Sequence, residues 1–199
     1  LPNLDALFQE SCATATAMAT LLPANLLFVL DRSASLACNP PPTTAPAVCE
    51  ANSVRADPAL PSKWEIITSA LLDAITGLPP DTHVGVSYFS NDGGCGVHAT
   101  PTVPLASLAE GQLGAVRASL DSVKPEGSTP LVGATILAYR HLHTEALAGR
   151  ISGPRFVVLL TDGEHAAECG APDRCTDAAW ATCAASIGAP APRTPVTWK

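Results

Sequence analysis

The sequence predicts a doubly wound α/β domain with a mostly parallel sheet and one antiparallel edge hairpin. Three observations carry that reading. Two apolar runs, "NLLFVL" at 25–30 and "RFVVLL" at 155–160, are continuous rather than alternating, the pattern of strands covered on both faces. Each runs straight into a loop that carries a carboxylate, "DRSAS" after the first and "TDGE" after the second. Between them, segments with helical spacing of apolar residues alternate with further strand-like runs.

Taken in order, "ATATAMATLL" at 13–22 alternates small and polar residues, as an edge strand or an extended lead-in would. "NLLFVL" is the central strand. A Pro-rich loop over 36–61 contains Cys38 and Cys49, and then Ser62 and Glu65 stand at capping-box spacing. They precede a helix in which Trp64, Ile67, Leu71 and Ile75 recur on one face, and which Gly77, Pro79 and Pro80 stop. "HVGVSYFS" at 83–90 is the next strand, and the turn "NDGGCG" leads to a hairpin partner, "VHATPTVPL". Pro101 and Pro104 confine that partner to a sheet edge.

Ser107 and Glu110 repeat the capping-box spacing before a helix carrying Leu113, Val116, Leu120 and Val123. After "KPEGSTP", Pro130 suits the first position of the next helix, "LVGATILAYRHLHTEAL". Past "TDGE" come a Cys-bearing loop, a short helix around "TDAAWATCAASIG" and the Pro-rich "APAPRTPVTWK". The order is Rossmann-like. It divides the chain into a lead-in over 1–23, a domain over 24–187 with a Pro/Cys-rich insertion at 36–61, and a tail over 188–199.

Composition narrows the function. With 199 residues, 47% of them hydrophobic, the chain has enough apolar side chains for a real core. A net charge of −7, few Lys and Arg and no basic run leave no electrostatic footprint for nucleic acid or an anionic membrane. No stretch approaches the roughly 20 apolar residues of a membrane span. The first residues, "LPNLDALFQESC", lack a basic head, so any export signal is expected upstream of this chain. Seven Cys favour disulfides and an oxidising compartment: extracellular, periplasmic or cell-surface. Cys38 and Cys49 are expected to pair across their Pro-rich loop. Cys169, Cys175 and Cys183 cluster near the other end, and the odd total leaves a thiol unpaired or bonded to a partner.

The chemistry gathers at strand ends. In open α/β sheets ligands bind at the carboxyl ends of the strands, and Asp31 and Asp162 each stand at such an end. If the two strands are parallel neighbours, both carboxylates reach one crevice. Ser33 and Ser35 bring hydroxyls from the first loop, and "GSTP" brings Ser128 and Thr129 from a third. Such an all-oxygen set suits a hard cation such as Mg²⁺. Neutral ligands leave much of the ion's charge uncompensated, so it can accept an oxyanion from outside.

Asp-x-Ser-x-Ser after a buried strand, Gly-x-Thr-Pro before a helix and Asp-Gly after a later buried strand together resemble the metal-ion-dependent adhesion site of von Willebrand factor A domains. The resemblance spans roughly 24–187. It implies that Asp31, Ser33, Ser35, Thr129 and Asp162 hold the metal, directly or through water. It also implies Mg²⁺ as the usual ion, Mn²⁺ or Ca²⁺ as substitutes, and an acidic side chain of a protein partner as the last ligand. The first motif departs from the usual Gly and Met with Ala34 and Leu36. Related domains add two more strands and helices after the Asp-Gly loop, and nothing strand-like follows here. The last strands are therefore expected to be missing, as in a domain truncated at its C-terminus. "RFVVLL" would then be an edge strand through which the chain self-associates, unless a longer parent covers it.

Other readings compete for the same residues. A lone Asp-x-Ser-x-Ser is an ordinary Asx turn or cap, Thr129 before Pro is an ordinary helix cap, and Ser128 is the near alternative as ligand. His165, Cys169, Cys175 and Cys183 can be drawn as a zinc site, but their spacing lacks a paired CxxC. His141 and His143 fall two apart on a helix, so they do not share a face and read as solvent-exposed. No GxSxG, P-loop or GxGxxG pattern occurs. The expected function is metal-dependent binding of a protein ligand by an adhesion-type module that is not an enzyme. The runner-up is a metal-assisted phosphoester hydrolase, and a third reading is a degenerate scaffold without metal.

Overall fold

The computed structural model describes residues 22–91, 94–163, 166 and 169. Among the described residues four strands form one sheet: β1 (Asn25–Asp31), β2 (His83–Phe89), β3 (Val103–Ser107) and β4 (Arg155–Leu160), in the order β3-β2-β1-β4. β1 pairs in parallel with both β2 and β4, while β2 and β3 are antiparallel. The mostly parallel sheet with one antiparallel edge pair is the architecture expected from the sequence. Val97 meets Phe89 only as an isolated bridge, so the hairpin's second strand begins later than its apolar residues suggest.

Among the described residues four α-helices flank the sheet: α1 (Pro46–Ala51), α2 (Lys63–Thr76), α3 (Gln112–Ser122) and α4 (Leu131–Leu147). The side-chain alternation of β1 explains the two layers. Phe28 and Leu30 join a core with Trp64, Leu71 and Ile75 of α2 and Val116 and Leu120 of α3. Leu27 and Val29 face the opposite way and pack with Ala134, Leu137, Ala138 and Leu142 of α4. A continuous apolar run is required because both faces are covered.

Asn25 is the polar exception at the base of β1. Its buried amide donates to Ser152 O at 2.7 Å and Pro154 O at 3.2 Å, and its oxygen meets His83 Nδ1 at 3.1 Å. It thereby ties the starts of β1, β2 and β4 together.

Two local expectations change. The loop 36–61 is not wholly irregular: a 3-10 turn covers Ala34–Ala37 and α1 follows. The capping box expected at Ser107 does not form. Ser107 Oγ accepts from Ala109 N, a 3-10 turn spans Leu108–Glu110, and Gly111 at φ 83° resets the chain before α3. Gln112 is pulled inward instead, its Nε2 donating to Val84 O and Pro104 O at 2.6 Å each, beside the β2–β3 irregularity. Gly85 sits at that irregularity, where an added Cβ would come 3.1 Å from Val103 O.

Among the described residues β4 pairs only with β1, and no helix is long and apolar enough to cross a membrane. The lead-in strand expected at 13–22 lies outside the described residues except for Leu22, and the C-terminal short helix, the tail and the expected absence of a later strand fall outside them altogether.

Candidate metal centre

β1 and β4 end side by side, with Leu30 opposite Leu160, so the residues that follow each strand emerge at one point of the sheet edge. Asp31 closes β1 and is only 1% exposed. Ser33 N donates to its Oδ1 at 2.7 Å, and Thr161 Oγ1 donates to its Oδ2 at 2.6 Å. Burial pushes the Asp31 carboxyl above the usual carboxylate range; the hydrogen bonds from Thr161 and Ser33 pull against this, and the nearby charge of Asp162 adds to the rise.

The first loop gathers its hydroxyls by turning. Ser33 precedes the 3-10 turn, and Leu36, fully buried, anchors that turn in the core. Ser33 Oγ lies 3.2 Å from Ser35 Oγ, and Ser35 Oγ donates to Asp162 Oδ1 at 3.0 Å. Asp31, Ser33, Ser35 and Asp162 thus form one continuous string of polar contacts, although the two carboxylates come from strands 131 positions apart in sequence. The second oxygen of Asp162 accepts from Lys63 Nζ at 2.5 Å, with the two side chains 11% and 20% exposed.

Backbone contacts bring in the third loop. Glu126 N donates to Arg32 O at 2.6 Å, Ala34 N donates to Gly127 O at 3.0 Å, and the Arg32 and Glu126 side chains form an ion pair. Gly127 adopts φ 82°, a left-handed conformation that glycine accommodates without steric cost. Ser128 is held toward the β2 end, its N donating to Gly94 O at 3.1 Å and its carbonyl accepting from Ser90 Oγ. Thr129 is half-buried, and its carbonyl accepts from Ala166 N at 2.9 Å. It does not cap α4, whose cap position is Pro130 without a side-chain hydrogen bond. The ordinary explanation for a Thr at this position is therefore removed. Among the described residues no hydrogen bond joins its hydroxyl to the other four.

The donor set fits a hard cation. Adjacent ligands of an octahedral ion bonded at about 2.1 Å stand about 3.0 Å apart, and the Ser33–Ser35 and Ser35–Asp162 separations are 3.2 and 3.0 Å. Among the described residues no three His, Cys, Asp or Glu side chains converge to hold a metal, so a cation here depends on the hydroxyls. A buried carboxylate beside a second one also favours a positive charge in the crevice, and the Lys63 ammonium supplies one.

Among the described residues two disulfides flank the crevice. Cys38–Cys49 is the pair expected, with Cα atoms 6.0 Å apart. Cys38 O accepts from Lys63 N at 2.8 Å and Cys38 N donates to Ser35 O at 3.2 Å, so this cystine joins the first loop to α2. Cys95–Cys169 links the loop after β2 to the one after β4. That bond removes Cys169 from the zinc alternative, whose His165, Cys175 and Cys183 lie outside the described residues. His141 is half-buried rather than solvent-exposed, and burial lowers its pKa.

Thr161, Lys63, Arg32 and Glu126 are neighbours of the candidate site that no sequence motif marked. Thr161 had a signal: aligning the two strand ends in parallel sets it beside Asp31. Lys63 had none, because its partner lies 99 residues away.

The sequence model of the von Willebrand factor type A domain matches residues 25–182. Among solved structures, the PilB minor pilin from Streptococcus sanguinis superposes with a TM-score of 0.50 at 16% identity. The match covers 74% of this chain but 31% of that one, and at this identity the likeness is one of fold. No curated protein matches the sequence at a significant level.

Proposed function

Because the chain belongs to the von Willebrand factor type A domain family, a family of protein-interaction modules, we propose that it binds a protein partner through a divalent cation held by Asp31, Ser33, Ser35, Thr129 and Asp162. Mg²⁺ is the ion of choice, with Mn²⁺ or Ca²⁺ as substitutes. The supporting observation is the string of contacts from Asp31 to Asp162, drawn from two strand ends, in which Ser33 Oγ, Ser35 Oγ and Asp162 Oδ1 are spaced as adjacent ligands of a hard ion. Bound there, the ion would offer a Lewis-acidic position to an acidic side chain of the partner. Ser33 and Ser35 keep the site's own negative charge low, Thr161 orients Asp31, and the Arg32–Glu126 pair sets the Thr129 loop. The module is read as a binder, not an enzyme, and as a protein of the cell exterior, in keeping with the Cys38–Cys49 and Cys95–Cys169 disulfides.

Calorimetric titration of Mg²⁺ and Mn²⁺ into chelator-treated protein tests this. Saturable binding that Asp31→Ala and Asp162→Ala abolish is the expected result. At a hundredfold excess over Kd the ion should stabilise the fold by about 2.7 kcal/mol. Identical melting in Mg²⁺ and in chelator would sink the proposal. One observation favours the scaffold reading instead: Lys63 pairs with Asp162 and offsets its charge.

A further inference from the structure

The Lys63 ammonium occupies the one Asp162 oxygen that Ser35 leaves, at 2.5 Å. Nothing forces this choice on it locally. Glu65, two residues away, is engaged by Ser62 N and by Arg55. The other nearby arginine, Arg32, is committed to Glu126, an acid outside the proposed ligand set. Lys63 therefore stands out as a cation paired with a proposed metal ligand. It is also tethered: Lys63 N donates to Cys38 O, and the Cys38–Cys49 bond fastens that peptide beside Ser35.

Resting on the metal-binding reading above, we infer that Lys63 is a built-in competitor for the cation, which closes the site when metal is scarce and sets the concentration at which it loads. A metal ion on Asp162 Oδ1, the oxygen spaced from Ser35 for adjacent ligation, would face the ammonium on Oδ2 across a single carboxylate, where two cations repel strongly. That repulsion favours loading with the pair open and the Lys63 head swung outward on its flexible four-carbon stem, which its first-turn position on α2 allows. A tethered charge competes at a high effective concentration that no dilution lowers. If the pair is closed about nine-tenths of the time, the apparent Kd for metal rises about tenfold. The released ammonium then lies at the rim of the crevice, where it can meet the carboxylate that an acidic partner brings to the ion. Metal loading and partner recognition would thus use the same side chain in turn.

The test uses the whole chain and Mn²⁺ alone as probe. Calorimetry is run on the native protein, Lys63→Met, Lys63→Arg and, as a control for net charge, Arg117→Gln on the exposed face of α3. Lys63→Met should bind roughly tenfold more tightly, while Lys63→Arg and Arg117→Gln stay close to the native affinity. In parallel, the native protein is pulse-labelled with an amine-acylating reagent with and without Mn²⁺ and mapped by peptide mass spectrometry. Labelling of Lys63 should rise on saturation. Equal or weaker binding by a folded Lys63→Met, or labelling indifferent to bound metal, overturns the competitor role and leaves the metal reading standing. Absence of binding in every variant removes both, because deleting the competitor would then uncover no site. Should Lys63→Met fail to fold, the labelling of the native protein decides by itself.

Discussion

Asp31 is where folding and binding conflict most directly. Its carboxyl is buried, and the result is a pKa above the ordinary one, chiefly from lost hydration. Between the unfolded value and that raised value the native state holds more protons than the unfolded chain. Stability contributed by this residue therefore falls as pH rises through that window, and the penalty is fully present above it. Asp31→Asn removes the charge while Oδ1 can still accept from Ser33 N, and the Thr161 hydroxyl can turn to accept. In chelator at neutral pH the variant should melt above the native protein, with the gap closing as pH drops below the unfolded value. In saturating Mg²⁺ the order should reverse, because only the native carboxylate gains the ion. A native protein that outlasts Asp31→Asn in chelator across the range would show that burial is not the governing cost. The meeting of Asp31, Ser33, Ser35 and Asp162 was legible because both carboxylates close or follow neighbouring parallel strands. Lys63 was not, since an ion pair across 99 positions leaves no periodic trace.

The two Ser-x-x-Glu segments show why element boundaries were only partly legible. Ser62 and Glu65 form the reciprocal capping box, with Glu65 N donating to Ser62 Oγ at 3.2 Å and Ser62 N to Glu65 Oε2 at 2.8 Å. The same spacing at Ser107 fails because Gly111 breaks the helix within a turn and Gln112 finds better acceptors inside the protein. Ser62→Ala should cost about 1 kcal/mol, a melting shift of roughly 2–4 °C for a chain of this size, whereas Ser107→Ala loses no such box. Equal effects in paired thermal melts would contradict the distinction. The Pro-rich insertion draws its order from its cystine as well as from α1. Replacing Cys38 and Cys49 by Ser should cost roughly 3 kcal/mol in the chain-entropy model. It should also weaken Mn²⁺ binding, because Cys38 couples Ser35 to α2. A double variant that loses stability but keeps full metal affinity would confine the bond to a structural role.

At the scale of the whole molecule, strand order decides what no local pattern does. Cys169 looks grouped with Cys175 and Cys183 in the sequence, yet it bonds Cys95, because the loops after β2 and β4 meet on either side of β1. The same order places β4 beyond β1, and its burial differs from that of its neighbour: Phe156 is 50% and Leu159 38% exposed, while β1 is almost wholly covered. Those two residues fall on opposite faces of the strand, so neither helical layer fully reaches it. Apolar side chains beside a strand partnered on one side among the described residues are a template for further pairing. We expect self-association that grows with concentration, seen as a rising mass in light scattering coupled to size exclusion. Phe156→Lys with Leu159→Lys should suppress it by placing charge on both faces of β4. Val158 and Leu160 would be poor choices, since they pack against the α2 and α3 core and a Lys there would unfold the sheet rather than block its edge. The double variant should leave Mn²⁺ affinity unchanged, because the mutated positions precede Thr161 and Asp162. A native chain of constant monomer mass from micromolar to several hundred micromolar would show that β4 does not act as an association edge.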